Sequence, residues 1–383
     1  MLFKTPRLGD PERRVIALVD DLRERLGYAT SAKRWQGLLR RNTLAKAIQG
    51  SNGIEGYNVT VDDAIAAAEG EEPLDADAET WAAITGYRQA MTYVINLSDD
   101  PHFSYSASLL KTLHFMMVHY DLPKHPGRWR TAPVFVRNDR TGAIVYEGPD
   151  WESVPPLMDE LIAELTDRNQ ALPSVVRAAM AHLNLVMVHP FSDGNGRMAR
   201  CLQTLVLART GNISPMFCSI EEYLGKNTQP YYDVLAEVGG GSWRPKRDAR
   251  PWVRFCLTAH YRQAVTLLLR TKELAKTWEA MEEEARRRGL SDRVVPALAD
   301  AASGLKVRNA MYRQQADVTD QVASRDLKQL VDEKLLVPVG ERRGRYYVAH
   351  PRIREIATRF REPRVIPDPF AQAAPHLPGM EPR

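Results

Sequence analysis

The sequence is poor in the features that mark secreted, membrane and metal-cluster proteins. Its 383 residues include only three cysteines, Cys201, Cys218 and Cys256, and neither their odd number nor their spacing suits disulfides or a metal site. They predict reduced thiols in a cytoplasmic protein. No run of about 18 apolar residues occurs, so no membrane span is expected. The first residues lack the apolar stretch of a secretory signal.

Charge of one sign is also scarce. The 52 Lys and Arg residues nearly balance the 48 Asp and Glu residues, and a net charge of +4 does not by itself indicate a nucleic-acid partner. The excess of basic residues is concentrated in residues 304–361, which contain 13 Lys or Arg and 7 Asp or Glu. The contents of 44% apolar and 26% charged residues are ordinary for a globular protein. The length predicts two or three domains.

Most of the chain shows the spacing of apolar residues that predicts helices. They are expected over residues 11–26, 35–49, 79–97, 106–120, 154–169, 174–188, 251–276 and 279–288, with another starting at Thr60. Proline and glycine mark the boundaries, and Gly50 is expected to end the second helix. We therefore predict a mainly α fold.

The segment between residues 126 and 149 differs from the helices around it. Two β-prone runs, 134–136 and 144–146, flank the turn-prone sequence NDRTG at residues 138–142. This pattern predicts a β-hairpin. Because an isolated hairpin is only marginally stable, it must pack against the helices.

The most polar stretch, HPFSDGNGRMAR at residues 189–200, follows a strongly apolar helix. Pro190 ends that helix after His189, and the glycines of the loop suit turns that expose backbone N–H groups. A helix that begins after such a loop has an N-terminus that favours phosphate. Arg197 and Arg200 are three residues apart, so they share one face of that helix and can both bind polyphosphate.

Two further residues of this stretch suit phosphate chemistry. Asp193 supplies an oxygen ligand for Mg²⁺ beside the phosphates, and His189 is a candidate general base for a hydroxyl group. Each residue taken alone is more often an ordinary surface residue. The whole stretch, in its helix–loop–helix setting, favours a functional site.

The stretch resembles the signature of the Fic (Fic/Doc) family, HPFx(D/E)GN(G/K)RxxR, at every fixed position. The resemblance extends over residues 79–260 and includes LLKTLHFMMVH at 109–119, PGRWR at 126–130 and NTQPYYDVL at 227–235. It implies a helical bundle of the Fic type with the hairpin as a flap. Members with an acid at the position of Asp193 and glycine at that of Gly196 typically transfer AMP from ATP to a protein hydroxyl and release pyrophosphate. The lysine-containing branch, which phosphorylates, is disfavoured by Gly196.

The resemblance also implies roles within the site. His189 would deprotonate a Ser, Thr or Tyr hydroxyl of the target, and Asp193 would hold Mg²⁺, or Mn²⁺ in its place. Binding of the ATP phosphates is assigned to Gly194, Asn195, Gly196, Arg197 and Arg200. Asn227 and Tyr231 stand where members often line the nucleobase pocket, and core or surface packing is nearly as good an interpretation for them. The target segment would lie beside the hairpin as an added strand.

The stretch SNGIEG at residues 51–56 resembles the inhibitory motif of the same family, (S/T)xxxE(G/N). Ser51, Glu55 and Gly56 fill its fixed positions, and its place before the core implies the class with an N-terminal inhibitory helix. Without that context the stretch is typical of an ordinary turn. The resemblance implies that Glu55 pairs with Arg200, takes the place of the γ-phosphate and leaves ATP in an unproductive pose.

Residues 304–361 predict a C-terminal winged helix–turn–helix. The helical stretch ASRDLKQLVDEKLL at residues 323–336 leads into LLVPVGERRGRYYV at 335–348, which alternates like a hairpin. Candidate DNA contacts are Ser324, Arg325 and Lys328 on the recognition helix and Arg342, Arg343 and Arg345 on the wing. A protein-interaction or dimerisation surface is an equal alternative, because acidic residues such as Asp326 interrupt the basic face.

The predicted organisation has five regions. They are an N-terminal helical region with the inhibitory motif at 1–78, a catalytic core at 79–260, a helical connector at 261–303, the winged helix–turn–helix at 304–361 and a disordered tail at 362–383. The leading function is an autoinhibited protein adenylyltransferase that uses ATP to modify a target protein or itself. Two alternatives stay open: a DNA-binding regulator whose core senses nucleotide, and an enzyme that removes AMP from proteins by means of Glu55. A homodimer is open as well.

Overall fold

The computed structural model describes residues 1–30, 34–71, 73, 75–137, 141–167, 172–209, 217–341 and 344–371. Within them the chain forms fifteen α-helices and two two-stranded sheets, which confirms the predicted mainly α fold. The helices are α1 (Asp10–Thr30), α2 (Gln36–Ile54), α3 (Val61–Glu69), α4 (Ala78–Leu97), α5 (Ala107–Val118), α6 (Val154–Thr166), α7 (Ser174–Val188), α8 (Asn195–Ala208), α9 (Glu221–Lys226), α10 (Thr228–Gly239), α11 (Arg250–Arg287), α12 (Val295–Ala302), α13 (Asn309–Ala316), α14 (Asp320–Asp332) and α15 (Pro351–Arg359). The strands are β1 (Phe135–Arg137), β2 (Ile144–Glu147), β3 (Leu336–Val339) and β4 (Tyr346–Ala349).

The helices that flank the polar loop, α7 and α8, lie at the centre of the fold and are buried along almost their whole length. His182 of α7 and Gln203 of α8 join them through a 2.6 Å contact between Nδ1 and Oε1. Trp252 of α11 covers α7 and donates its indole N–H to the carbonyl of Ala179 at 2.7 Å. Because both helices are enclosed, the loop between them starts and ends at fixed points.

Helix α11 runs for 38 residues without a break. The prediction of two separate helices at 251–276 and 279–288 is therefore wrong, and the predicted boundary after residue 260 falls inside this helix. The charged stretch that suggested a surface helix buries Met281 and Ala285 against the core. No proline or glycine interrupts it, so the helix continues.

The predicted hairpin is formed by β1 and β2, in which Val136 pairs with Tyr146. It packs against helices as expected: the hydroxyl of Tyr146 donates to the carbonyl of Met187 at 2.7 Å, at the end of α7. The N–H of Glu147 donates to the carbonyl of Gly241 at 3.0 Å. Part of the predicted turn, residues 138–140, lies outside the described residues.

The C-terminal region places α12, α13 and α14 before the hairpin of β3 and β4, and Val307 pairs with Tyr347 through two 2.8 Å backbone hydrogen bonds. Ser324, Arg325 and Lys328 are exposed on α14, and Arg345 is exposed before β4. Arg342 and Arg343 lie outside the described residues. The winged helix and its DNA contacts stay predictions.

One argument against DNA binding is removed by the position of Asp326. Its carboxylate is buried and paired with Arg293 at 2.7 and 2.8 Å, and it accepts the hydroxyl proton of Tyr312 at 2.8 Å. Asp326 therefore faces the interior. The sequence had suggested that it interrupts the exposed basic face of α14, and it does not.

The first part of the predicted disordered tail, residues 362–371, lies against α11. The N–H of Glu362 donates to Glu273 at 3.0 Å, Arg364 pairs with the same carboxylate at 2.5 Å, and the ring of Phe370 lies 5.4 Å from the guanidinium of Arg254. The prediction of disorder is therefore wrong for these ten residues. Charge and one aromatic ring anchor a segment whose composition had suggested nothing to bury.

Across the described ranges, no helix combines the length and the apolar character that a bilayer span requires.

Candidate active site

The loop between α7 and α8 has the backbone of an anion site. His189 caps α7 in the left-handed conformation at φ 52°, and Gly194 before α8 has φ 76°. The N–H groups of the first turn of α8, from Asn195 to Arg197, have no acceptor within the helix. They meet at the positive end of the helix dipole, which favours a phosphate or carboxylate.

Asn195 fixes this loop with its side chain. Its Oδ1 accepts from the N–H of Phe191 and its Nδ2 donates to the carbonyl of the same residue, both at 2.9 Å. Asn195 is 2% exposed, and both polar atoms of its side chain are bonded to the backbone of the loop. The side chain of Asn195 therefore positions the loop, and its backbone N–H belongs to the anion site at the first turn of α8.

The imidazole of His189 is held in one orientation. Nδ1 lies 3.1 Å from the carbonyl of Val186, which is only an acceptor, so Nδ1 carries the proton and Nε2 carries the lone pair. Burial lowers the pKa of His189, the positive charge of Arg130 adds to this, and the bond to Val186 opposes it. A neutral ring with an unprotonated Nε2 is the form that a general base needs.

Arg130, in the PGRWR stretch, supports the same loop from the hairpin side. It is 6% exposed, its Nε donates to the carbonyl of His189 at 2.8 Å, and its N–H donates to Pro190 at 2.9 Å. Another guanidinium nitrogen donates to the carbonyl of Ala132 at 2.9 Å. Arg130 thus ties the hairpin to the histidine loop. The resemblance included this residue without a role.

His114 of α5 is a second support that sequence reasoning missed. Its Nδ1 accepts from the N–H of Gly127 at 2.9 Å, so its Nε2 is the protonated nitrogen and donates to the carbonyl of Asp193 at 3.0 Å. The ring stacks on Phe191 with centroids 3.7 Å apart. Burial lowers its pKa to about 4, so it stays neutral. The stretch LLKTLHFMMVH contained it, but nothing in the spacing pairs it with a loop 79 residues away.

Two arginines lie below the loop with donors to spare. Arg197 and Arg200 are each 1% exposed. Among the described residues, Nε and one terminal nitrogen of Arg197 and one terminal nitrogen of Arg200 have no hydrogen-bond partner. A buried guanidinium with open donors is costly, and a polyphosphate would satisfy them.

Asp193 is paired with Lys124, a residue that no motif singled out. Lys124 Nζ lies 3.0 Å from Oδ2 of Asp193, and Oδ1 accepts from the N–H of Gly194 at 2.7 Å. Although burial opposes it, the hydrogen bond from Lys124 and that from Gly194 lower the pKa of Asp193. The carboxylate is therefore ionised, as a metal ligand must be, and its side chain is 44% exposed.

The predicted inhibitory residues meet Arg200. Its Nε donates to the Ser51 hydroxyl at 2.7 Å, and a terminal nitrogen donates to the Ser51 carbonyl at 2.9 Å and to Oε1 of Glu55 at 2.7 Å. A Cβ on Gly196 would overlap Oε1 of Glu55, so the carboxylate lies directly over the first turn of α8. Glu55 therefore occupies the anion site. Gly56 follows in the left-handed region at φ 87°.

Helix α2 does not end at Gly50 as predicted but continues to Ile54. The glycine is there for packing. A Cβ on Gly50 would overlap the carbonyl of Glu221, and one on Gly225 would lie 2.6 Å from the Cα of Gly50. The backbones of α2 and α9 are in direct contact, and this sets the depth at which Ser51 and Glu55 reach Arg200. A buried pair of Arg41 with Asp300 at 2.5 Å joins α2 to α12.

Replacing Gly50 with alanine is expected to separate α2 from α9. Such overpacking costs about 1–3 kcal/mol of unfolding free energy. Urea unfolding followed by circular dichroism measures it, and ATP-analogue affinity should rise as Glu55 moves. Gly37 lies in the same helix with nothing within 4 Å of an added Cβ, so Gly37→Ala is the matched control. Equal stability of the two variants would contradict the packing role of Gly50.

The assignment of Asn227 and Tyr231 to a nucleobase pocket stays a prediction. Tyr231 is 1% exposed, and its hydroxyl lies 3.0 Å from Nε2 of His182 in the core, which favours the packing interpretation of this residue. The next residue, Tyr232, is 43% exposed and donates to the carbonyl of Ile54 at 3.2 Å. One step along a helix turns the side chain by about 100°. Asn227 is partly buried and donates to the carbonyl of Tyr223 at 2.8 Å.

Comparison with known proteins finds curated relatives that are named protein adenylyltransferases. Protein adenylyltransferase fic-1 of Caenorhabditis elegans is 27% identical over 258 residues, which are 66% of this chain and 46% of the relative. Protein adenylyltransferase Fic of Nematostella vectensis is 24% identical over 264 residues, which are 65% of this chain and 55% of the relative. The chain thus spans about half the length of these curated relatives.

Solved structures share the fold. A Fic family protein from Desulfovibrio desulfuricans has a TM-score of 0.57 at 20% identity, covering 91% of this chain and 98% of its own. A fragment of Fic-1 from C. elegans has a TM-score of 0.53 at 23% identity, covering 67% of this chain and 72% of its own. The sequence model of the Fic/DOC family matches residues 104–207. Residues 104–207 therefore match the Fic/DOC family model, and the loop between α7 and α8 lies within that range.

Proposed function

We propose that the protein is a protein adenylyltransferase, which moves AMP from ATP to a Ser, Thr or Tyr hydroxyl of a target protein or of itself. The observation that carries the proposal is the combination of an anion site at the start of α8 with the unprotonated Nε2 of His189 at the end of α7. The names of the curated relatives support the same reaction.

In this reaction the target hydroxyl oxygen attacks the α-phosphorus while Nε2 of His189 takes its proton. The bond from the α-phosphorus to the oxygen that bridges to the β-phosphate breaks, and pyrophosphate leaves. Arg197, Arg200 and the N–H groups of α8 stabilise the charge that develops on the leaving group. The reaction needs positioning and charge more than covalent chemistry, and this loop supplies both.

Asp193 is the residue that we propose for Mg²⁺ or Mn²⁺. In the described ranges no group of three or more His, Cys, Asp or Glu side chains forms a protein-only metal site. Mg²⁺ in phosphate-transfer sites is often held by one or two carboxylates together with the substrate phosphates, so one ionised Asp193 beside the anion site fits it. When bound, the ion neutralises charge on the phosphates. Asp193 orients it, and the N–H of Gly194 holds that carboxylate in place.

The hairpin of β1 and β2 is the proposed docking surface for the target. Phe135 and Ile144 are 43% and 51% exposed, whereas Tyr146 on the same hairpin is buried. An extended target segment pairing with a strand edge would be registered by backbone hydrogen bonds. Arg130 is bonded to the carbonyls of both Ala132 and His189, so it would fix the position of the docked segment relative to the His189 loop.

We propose that Glu55 keeps this activity low. Its carboxylate competes with phosphate for Arg200 and for the first turn of α8. The alternative in which Glu55 activates water to remove AMP uses the same position. Cytoplasmic location and a homodimer belong to the proposal as predictions from the sequence alone.

The test compares ATP labelled at the α-phosphate with ATP labelled at the γ-phosphate, using wild type and Glu55→Gly with cell lysate. AMP transfer places the α-label on protein and leaves the γ-label in pyrophosphate. Protein carrying only the γ-label would indicate phosphorylation instead. No label from either position, with analogue binding demonstrated, would refute transfer; loss of AMP from a modified protein would then favour the removal reaction.

A second candidate, a DNA-binding regulator, is favoured by the exposed Arg325, Lys328 and Arg345. Duplex binding that weakens steeply with salt, and that Arg325→Gln diminishes, would support it.

A further inference from the structure

The inhibitory segment does not stop at the motif. Tyr57, two residues after Glu55, lies over the cations of the anion site. The guanidinium carbon of Arg197 is 5.4 Å from the centroid of the Tyr57 ring. Lys124 Nζ donates to the Tyr57 hydroxyl at 3.1 Å and lies 5.8 Å from the ring centroid. The Tyr120 hydroxyl donates to that of Tyr57 at 3.4 Å.

Lys124 is built into this place rather than resting on the surface. Its side chain is 19% exposed, and Nζ lies 3.0 Å from Asp193 and 3.4 Å from Asp121. Its backbone carbonyl accepts the hydroxyl proton of Ser192 at 2.6 Å. The turn that carries Lys124 is therefore bonded to the phosphate loop, and its charge stays beside Asp193.

We propose that Lys124 is a further polyphosphate-binding residue of the nucleotide site and that Tyr57 covers it, together with Arg197, in the inhibited state. The proposal rests on the proposed function and names two residues outside both motifs. In the structure each cation of the site has a partner within residues 55–57. Glu55 pairs with Arg200, the ring of Tyr57 lies against Arg197, and the hydroxyl of Tyr57 accepts a hydrogen bond from Lys124.

The substitutes differ in strength, which decides their roles. The contact of a cation with an aromatic ring involves no opposite charge, so it is weaker than a pairing with a carboxylate or a phosphate. Charge-assisted hydrogen bonds to phosphate are roughly twice as strong as neutral ones. A triphosphate would therefore displace Tyr57 readily, whereas Glu55 opposes it with a full negative charge. Tyr57 tightens the inhibition that Glu55 establishes.

The alternative is that Lys124 only balances the charge of Asp193. The two roles give opposite expectations. A residue that binds phosphate strengthens nucleotide binding. If Lys124 only forms an ion pair with Asp193, it competes with the metal ion that accompanies the nucleotide. Its removal would then strengthen nucleotide binding.

The first experiment measures nucleotide affinity by calorimetry with α,β-methylene-ATP in the presence of Mg²⁺. The methylene group between the α- and β-phosphorus atoms of this analogue resists cleavage at the bond that AMP transfer would break. In the Glu55→Gly protein, Lys124→Gln is expected to weaken binding about tenfold. Lys124→Arg should retain most of the affinity. Lys111→Gln is the matched control, because this lysine also lies over an aromatic ring, Trp129 at 4.9 Å, outside the cluster.

The second experiment removes Tyr57 from the protein that retains Glu55. Tyr57→Leu should tighten analogue binding about threefold, in line with one lost cation–π contact. Tyr57→Phe, which keeps the ring over Arg197, should have a smaller effect. That smaller effect should vanish in the Lys124→Gln background, because the hydroxyl then has no ammonium to hold.

The outcomes separate the two proposals. If the Glu55→Gly parent does not bind the analogue, the proposed function fails and this inference fails with it. If the parent binds but Lys124→Gln binds equally well or more tightly, Lys124 serves Asp193 alone and only this inference fails. If Tyr57→Leu weakens binding, Tyr57 is a nucleotide contact and its covering role is wrong. Circular dichroism confirms the fold of each variant.

Discussion

Replacing Glu55 with glycine is expected to raise the initial rate of AMP transfer by about a hundredfold. The carboxylate lies 2.7 Å from Arg200, a guanidinium that is 1% exposed, and over the first turn of α8. Removing one partner of such a buried pair costs about 3–5 kcal/mol, because the other charge is left without compensation. In the variant a γ-phosphate, rather than Glu55, provides that compensation, and each 1.4 kcal/mol corresponds to about tenfold in an equilibrium constant.

The measurement is the initial rate of α-label incorporation at a fixed ATP concentration, with analogue affinity determined in parallel. Glu55→Gln keeps a hydrogen-bond acceptor without the charge and should give an intermediate rate. Glu341→Gly, at an exposed position in the C-terminal hairpin, is the control and should match wild type. Equal rates for Glu55→Gly and wild type, with both folded, would show that Glu55 does not restrain the site.

The glycine variant should also change stability in a way that reports the mechanism. Without Glu55, Arg200 keeps its hydrogen bonds to Ser51, but its positive charge is left without a carboxylate partner in a buried position. The ligand-free protein should therefore unfold more easily, and ATP should stabilise it more than it stabilises wild type. Autoinhibition and stability of the empty protein thus come from the same contact.

The candidate site was predictable from sequence to the extent that its residues are close together in the chain. The loop and first turn of α8 lie within twelve residues, so helix geometry alone places Arg197 and Arg200 on one face. The pairing of Glu55 with Arg200 bridges 145 positions, and only the resemblance indicated it. No periodicity or spacing contains that contact.

The supports of the site were not predictable for the same reason. His114, Arg130 and Lys124 reach the loop from other elements, over 79, 59 and 69 positions. A buried neutral histidine and an arginine bonded to backbone carbonyls look, in sequence, like ordinary polar residues. Their roles depend on which backbone groups are left unpaired by the turn, and this is known only from the fold.

A glycine misled the sequence interpretation, and a pair of tyrosines left it ambiguous. A glycine after a helical pattern usually signals the end of the helix. Helix α2 continues past Gly50, and this glycine allows the backbones of α2 and α9 to come into contact. In the pair of Tyr231 and Tyr232 the sequence does not tell which ring faces the core. A helix that is buried on one side exposes only one of them, and the bond to His182 decides it.

Replacing His189 with alanine in the Glu55→Gly background should abolish AMP transfer while nucleotide binding is retained. General-base catalysis contributes about 10²–10⁴-fold, so the α-label should fall by at least a hundredfold. Binding persists because the anion site is built from α8 and its arginines. His119→Ala is a close structural control, since His119 also follows a helix with Nδ1 3.1 Å from a carbonyl three residues earlier, yet it is exposed. Loss of analogue binding in His189→Ala, or undiminished transfer, would remove His189 from its assigned role.

The pH dependence separates a base from a residue that only shapes the loop. Burial lowers the pKa of His189, so its neutral form persists to lower pH than that of a solvated imidazole. The rate in the Glu55→Gly protein should therefore stay level as pH falls through about 6.5, the ordinary value for histidine, and decline only below it. A purely structural role would leave the residual rate of His189→Ala with the same acidic limb. If His189 is the base, that limb disappears with the imidazole, because Asp193, whose pKa is lowered, becomes protonated only at much lower pH.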